Sequence, residues 1–362
     1  MSASTEHAEL LELAREFARG ELGPHEAERD AARALPDALF GTLGEMGFFA
    51  MALPDSAGGL GLDPVTYHEV LSILAEFDPA VALTLAEHGA VAATLAASSG
   101  HDDAVARLAA GEALATTAIL ESGADETTTH LATTFDGSRL HGTKRAVVNA
   151  ARAGVICVTA QIEGEIAIVC VERVSDEVRA DGRRATMGLA ALDFSTLVFD
   201  GAGAARVEGR DRLGDLVARR RLGVAAVAVG VARASLAHAL RYAEERAQFG
   251  RSISSFDAVQ AKLAEVAARS AAAEALTREV AKVIGSGPGA AARAAAAKLV
   301  ATGTAMFAAD EAVQIFGGYG YMRDYPVEKR MRDAKGLEVI AGTSEALRRV
   351  VTEELLESAR TS

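Results

Sequence analysis

Apolar positions divide the chain into three zones. In residues 1–112 they recur at three- and four-residue steps, as in Leu10, Leu13, Ala14 and Phe17, which predicts helix. A second helix is expected from Leu35 to Met46, stopped by Gly47. A Gly/Pro loop, Leu53–Gly61, follows. Pro64 then opens a helix over Val65–Glu76, and Pro79 opens a long Ala-rich one toward Ser99. In residues 113–212 the period shortens. Ala115–Leu120, Leu131–Phe135, Val155–Ala160, Ile166–Val171 and Thr196–Phe199 are short, β-branched runs divided by turn residues such as Asp136-Gly137 and Glu163-Gly164. In residues 213–362 helix returns in longer pieces. One stretch from Ala218 to Gln248 would span roughly 45 Å. Ser255 is the expected cap of the next helix, Ala290–Phe316 forms a third ended by Gly317-Gly318, and Thr343-Ser344 opens the last. The expected fold is α+β and multidomain: an N-terminal helical domain, a middle β-barrel and a C-terminal antiparallel four-helix bundle.

Composition narrows the class. Against 37 Lys and Arg stand 50 Asp and Glu, a net charge of −13, which disfavours a nucleic-acid partner. No charge-free apolar run reaches about 18 residues, so no membrane span is expected. The opening MSASTEHAELLELAREF carries acids and helical spacing in place of a basic start and an apolar block, so no secretory leader is expected either. Cys157 and Cys170 lie in apolar strand-like runs and read as buried thiols of a reducing cytoplasm, with a single disulfide as the lesser alternative. There is no His-Glu-x-x-His, Cys-x-x-Cys, Gly-x-Ser-x-Gly or post-strand Gly-x-Gly-x-x-Gly motif, so a metal, serine-hydrolase or nicotinamide site is poorly supported.

Two motifs carry more. One is Arg246-Ala247-Gln248-Phe249-Gly250-Arg251-Ser252-Ile253, with Phe256, Gln260 and Leu263 behind it. The other is Gln314-Ile315-Phe316-Gly317-Gly318-Tyr319-Gly320-Tyr321, continuing through Tyr325–Arg330 and Arg332–Lys335 to Gly342-Thr343-Ser344-Glu345. With the Leu53–Gly61 loop and a Gly142-Thr143-Lys144 hairpin, these resemble the acyl-CoA dehydrogenase family along almost the whole chain, in the same order of zones. The resemblance implies FAD bound where subunits meet, in a homodimer or homotetramer. It implies a thioester substrate on CoA or a carrier protein, and an electron-transfer flavoprotein or other acceptor. It implies FAD contacts at Leu120, Ala146, Val148, Arg246, Gln248, Phe249, Gln314, Gly317, Gly318, Thr343 and Glu345. The physical reading agrees: Arg246 offers a cation to a pyrophosphate, and Gly317-Gly318 permit close approach.

The sequence departs from the family where the chemistry is done. The usual reaction takes an α-proton with a carboxylate while hydride passes to flavin. The usual base position, before Gly342-Thr343, holds Ala341. The alternative position on the first bundle helix holds Arg220, which stays protonated. Glu338 and His88 are the remaining candidates, although a lone His in an Ala-rich helix more often packs in a core. The family's flavin-side loop has become Leu120–Glu126, with Asp125 repulsive toward a pyrophosphate. Its Trp-x-Thr/Ser-Asn has become Ala146-Val147-Val148-Asn149 in a chain without tryptophan.

These departures resemble the short acyl-carrier-protein dehydrogenases of polyketide extender-unit synthesis, the methoxymalonyl pathway among them. There alcohol oxidation needs a hydride acceptor but no α-carbon base. On that reading Arg220, with its neighbours Arg219 and Arg221, grips a polar or anionic acyl group, and Ala341 lines the same site. The net charge disfavours an acidic carrier unless a local basic patch exists, and only Arg219–Arg221 hints at one. The alternatives are a base-less partner subunit of a heteromeric dehydrogenase, and a flavin oxidase or monooxygenase of the same fold.

Overall fold

The computed structural model describes residues 3–123, 130–173, 176–209, 211–285 and 289–361. The first zone holds helices α1 (Ala3–Phe17), α2 (Glu26–Ala32), α3 (Asp37–Glu45), α4 (Pro64–Phe77), α5 (Pro79–Ala96) and α6 (Asp102–Ala109). Pro begins both α4 and α5, and an aspartate caps each. Asp63 accepts from the Val65 and Thr66 amides (2.9 and 3.1 Å), and Asp78 from Ala80 and Val81 (3.0 and 3.3 Å).

The second zone holds β1 (Ala115–Ala118), β2 (Thr134–Phe135), β3 (Arg139–Val148), β4 (Val155–Ile162), β5 (Glu165–Glu172), β6 (Val178–Asp181), β7 (Phe194–Gly203) and β8 (Ala205–Arg206). The expected barrel is a curled eight-stranded sheet in the order β6-β7-β3-β2-β4-β5-β8. Its β1 lies parallel to β4 beside β2. Cys157 and Cys170 face each other across β4 and β5 as free, buried thiols. The expected Gly142–Lys144 hairpin is instead the middle of β3, which pairs with β7 along its length. Polar residues at 139, 141 and 143–145 hide that strand from an apolar count.

The third zone holds α7 (Arg212–Glu245), α8 (Asp257–Ala281), α9 (Ala290–Phe316), α10 (Val327–Val339) and α11 (Ser344–Thr361). Helix α7 starts earlier than expected because Asp211 caps it through the Gly214 amide (3.2 Å). It ends at Glu245, where the chain turns into a small hairpin pairing Ala247-Gln248 with Arg251-Ser252. Ser255 does not cap α8, which follows Phe256 without a side-chain cap. Ser252 closes the preceding turn through the Ser254 amide.

The largest core runs through the first and third zones together, with Leu71, Leu74 and Leu83 beside Val224, Val227 and Ala301. Gly230 makes this possible. A Cβ there would lie 2.2 Å from the Ser72 carbonyl oxygen, so only glycine lets α7 press against α4. Helices α5 and α7 are long and apolar enough to cross a membrane by length and composition, although neither holds a charge-free run of 18 residues. In the fold, 94% and 78% of their apolar windows are buried.

A buried polar network ties α10 to the N-terminal helices. Arg330 grips Glu26 with both Nη atoms (2.7 and 2.9 Å), and Lys329 bridges Glu26 (2.9 Å) and Asp333 (2.5 Å). Arg29 donates to Asp78, 49 positions later in the sequence (2.7 Å). Removing one partner of such a pair strands a charge away from water. Arg330→Met is therefore expected to cost about 3–5 kcal/mol, seen as a lower urea midpoint. The double variant E26Q/R330M should regain much of that loss.

Candidate functional site

A cavity of about 370 Å³ opens between the sheet and the bundle. Thr117, Ile119 and Leu120 come from the end of β1, and Arg145, Ala146 and Val148 from β3. The segment leading into β7 supplies Thr186–Leu189 and Phe194. Arg220 comes from α7, and Val339, Ile340 and Ala341 from the end of α10. The β3–β7 register shifts between Lys144 and Val147, and Ala146 there has φ 52°. This bulge turns the strand at the cavity wall. Gly188 lies so close to α10 that a Cβ would meet the Arg332 carbonyl at 1.9 Å, and the Leu189 amide donates to Asp333 (2.6 Å). The 186–189 wall is thereby fixed to the bundle. Thr186 carries a buried hydroxyl with no partner among the described residues.

The wall at Ile119–Leu120 is pinned by a buried ion pair. Lys144, wholly buried, donates to Glu121 (2.7 Å), the Thr159 hydroxyl (3.0 Å) and the Ile119 carbonyl (3.2 Å). These three acceptors match the three donors of an ammonium. Burial alone would raise the Glu121 carboxyl. Hydrogen bonds from Lys144 and from the Thr133 and Ala132 amides outweigh it and pull the group down to about 2. Burial acts on Lys144 in the opposite sense, drawing it below its ordinary value despite Glu121. The complete set of acceptors decides for the charged pair.

The inner wall holds a feature that sequence reasoning missed. Arg220 Nε lies 3.0 Å from both oxygens of Glu87, Arg220 Nη2 lies 3.0 Å from Oε1, and the Thr117 hydroxyl donates to Oε2 (2.8 Å). Glu87 is 2% exposed and Arg220 8%. Arg220 and Thr117 line the cavity, and Glu87 stands behind them. The signal was present, because Glu87 is the one acid or base with a fixed charge in the buried helix α5. A lone charge in such a helix requires a partner.

The other sequence candidates fall in different places. Ala341 is on the wall in a left-handed turn (φ 57°), held where Lys298, wholly buried, donates to the Gly342 carbonyl (2.8 Å). His88 does not line the cavity. It packs against Phe49 (4.9 Å) and accepts from the Ala115 amide (3.2 Å), and burial lowers it to about 4. Glu338 is also off the wall and pairs with Lys335. Arg221 is buried and off the wall, while Arg219 pairs with Asp215 (2.9 Å). The 219–221 run is therefore no basic patch. The exposed cations at the cavity are instead Arg145, Arg184 and Lys335. Asp125 lies outside the described residues.

The remaining expected cofactor residues do not line this cavity. Leu120, Ala146 and Val148 do. Arg246, at the end of α7, lies over Tyr319 (5.8 Å), next to Gly317 and Gly318, where nothing lies within 4 Å of a built Cβ. Tyr242 stacks on Phe316 beneath (4.0 Å). Gln314 is exposed, and Phe249 is 93% exposed at a hairpin tip with φ 53°. Thr343 and Glu345 are exposed at the start of α11, where the Thr343 hydroxyl receives the Ala346 amide (3.4 Å).

The chain matches the acyl-CoA dehydrogenase C-terminal domain over residues 208–356 and the N-terminal domain over residues 4–127. It is 31% identical to an acyl-CoA dehydrogenase of Bacillus subtilis, covering 98% of this chain and 99% of that one. It is 33% identical to benzylmalonyl-CoA dehydrogenase of Aromatoleum aromaticum, covering 94% and 95%. A solved structure from work on the electron transferring flavoprotein of Acidaminococcus fermentans superposes with a TM-score of 0.92 at 30% identity, covering 98% of each chain.

The Glu121–Lys144 pair makes a pH-dependent contribution to stability. An unfolded glutamate titrates near about 4.3, and the folded one near 2. The contribution is therefore complete above the unfolded value and lost as pH falls toward 2. The stability gap between the native protein and Glu121→Gln should be constant above about pH 5.5 and shrink below it, in denaturant titrations across that range.

Proposed function

The chain belongs to the acyl-CoA dehydrogenase family of FAD-dependent oxidoreductases acting on acyl thioesters. From that premise we propose that its own reaction oxidises a hydroxyacyl group held on an acyl carrier protein, in the making of a polyketide extender unit. One observation carries this reading. Neither wall position that could hold an α-proton base does so: Ala341 has no ionisable group, and Arg220 is an arginine already engaged by Glu87. Glu87 itself makes four short contacts to Arg220 and Thr117, so it is not a free base. Oxidising a carbinol carbon needs no C–H deprotonation. The hydroxyl proton is released to solvent, and the hydrogen on carbon leaves with its electron pair.

FAD, when bound, supplies the acceptor of that pair. The residues present suit it. Leu120, Ala146 and Val148 would flank its ring system, and the Thr186 hydroxyl, without a partner among the described residues, offers a hydrogen bond at the same wall. Arg246, Gln248, Phe249, Gln314, Gly317 and Gly318 would serve the cofactor of a second copy of the chain, since they occupy a surface away from this cavity. Thr343 and Glu345 complete the expected set. This favours a homodimer or homotetramer. Arg145, Arg184 and Lys335 supply positive charge at the opening, where the phosphate arm of a thioester carrier would pass. An electron-transfer flavoprotein is the proposed acceptor from the reduced cofactor, supported by the likeness to a structure from work on such a protein.

Anaerobic mixing tests the reaction. A hydroxyacyl group on a carrier protein should bleach the flavin absorbance within the turnover time. A saturated acyl-CoA of the same length should leave it yellow. Bleaching by the saturated thioester would overturn the reading, as would purified protein that binds flavin only with a second gene product. On the assembly, Arg246→Ala should lower flavin content per chain while light scattering still reports an oligomer.

A further inference from the structure

We propose that the Glu87–Arg220 pair, completed by Thr117, is a charge selector. It favours an acyl group ending in a hydroxyl or another neutral hydrogen-bonding oxygen, and it rejects one ending in a carboxylate. The inference rests on the reading that this cavity takes the acyl part of a thioester, but not on which bond is oxidised.

Arg220 and Thr117 are adjacent polar groups of the inner wall, among Ile119, Val148, Ile340 and Ala341. The guanidinium is held by the two Glu87 oxygens at 3.0 Å, and the Thr117 hydroxyl holds the second oxygen at 2.8 Å. The wall therefore presents a fixed arginine whose charge is already balanced. An acyl carboxylate placed against it would make two carboxylates share one guanidinium away from water, leaving one negative charge uncompensated. A hydroxyl brings no charge: its oxygen can accept from the arginine, and its own hydrogen can be donated to the Thr117 oxygen, whose hydrogen is already given to Glu87. An aliphatic end offers these groups nothing and leaves them poorly solvated. Glu87 acts through Arg220, so it is a positioning residue. Without its charge the same arginine would become a carboxylate receptor.

The test measures binding to the flavin-loaded protein by calorimetry. Four-carbon CoA thioesters ending in methyl, hydroxyl or carboxylate are compared. The native protein should bind the hydroxyl-ended thioester at least about tenfold more tightly than the carboxylate-ended one. Glu87→Gln should reverse that order, and the neutral double variant E87Q/R220Q should remove the preference. A native protein that binds the carboxylate-ended thioester as tightly as the hydroxyl-ended one overturns the inference. So does a folded E87Q protein, with native circular dichroism and flavin content, that keeps the native order. If E87Q does not fold, the native comparison decides alone. Because the readout is binding, the two proposals fail separately. Correct selectivity without flavin bleaching sinks the reaction, and bleaching without selectivity sinks the selector.

Discussion

The site depends on one constraint: a carboxylate and a guanidinium, both cut off from water, must stay together. Glu87 lies on α5 and Arg220 on α7, so the pair locks an N-terminal helix to the first bundle helix at the cavity wall. Burying two charges costs several kcal/mol per ion before any attraction is counted. The cost is offset only if the geometry holds. Two contacts from Nε, one from Nη2 and the Thr117 hydroxyl satisfy the carboxylate. The surrounding helices must then be rigid, and they are. Alanine and glycine faces bring α4, α5 and α7 into close contact, and Gly230 touches backbone directly.

The same logic recurs at the other wall. Lys144 and Glu121 hold the Ile119–Leu120 segment through a wholly buried ammonium, and Lys298 holds the turn that carries Ala341. Each cavity-lining segment outside a regular element is tied down by a buried polar group with its partners in place. An apolar core would fix such segments less sharply, because hydrophobic contacts have no direction. The cavity is thus a product of polar anchors set in an Ala-rich frame.

Periodicity made the zones legible, and separated motifs made the family legible, because both lie in local sequence. Helix α9 was read at its true ends from Ala290 to Phe316, since glycines bound it on each side. Strand β3 was missed because its outward residues are polar and its inward Lys144 looks like a surface residue until Glu121 is placed opposite it. The Arg219–Arg221 run looked like one basic feature. The fold gives its members three fates: Arg219 pairs along its own helix, Arg220 meets Glu87, and Arg221 is buried elsewhere. Glu87 and Arg220 are 133 positions apart, and no pattern within a helix relates them. His88, next to Glu87, drew attention by its chemistry, but one residue along a helix turns a side chain by about 100°. That step separates the cavity's acid from a core histidine.

Charge shows why a global quantity misleads at a local site. A net charge of −13 argues against an acidic partner at distances where the molecule acts as one charged body. Screening ends that regime within about 8–10 Å in physiological salt. Inside it, an approaching group meets only nearby side chains. At the cavity these are Arg145, Arg184 and Lys335, the last of them paired with Glu338, while the buried acid, Glu87, is spent on Arg220. The opening is therefore locally cationic, and the inner wall is neutral. A substrate with a phosphate-bearing arm and an uncharged head matches that gradient from outside to inside. The same gradient would hold a doubly charged thioester only by its arm, because the wall that receives the head has no charge left to give.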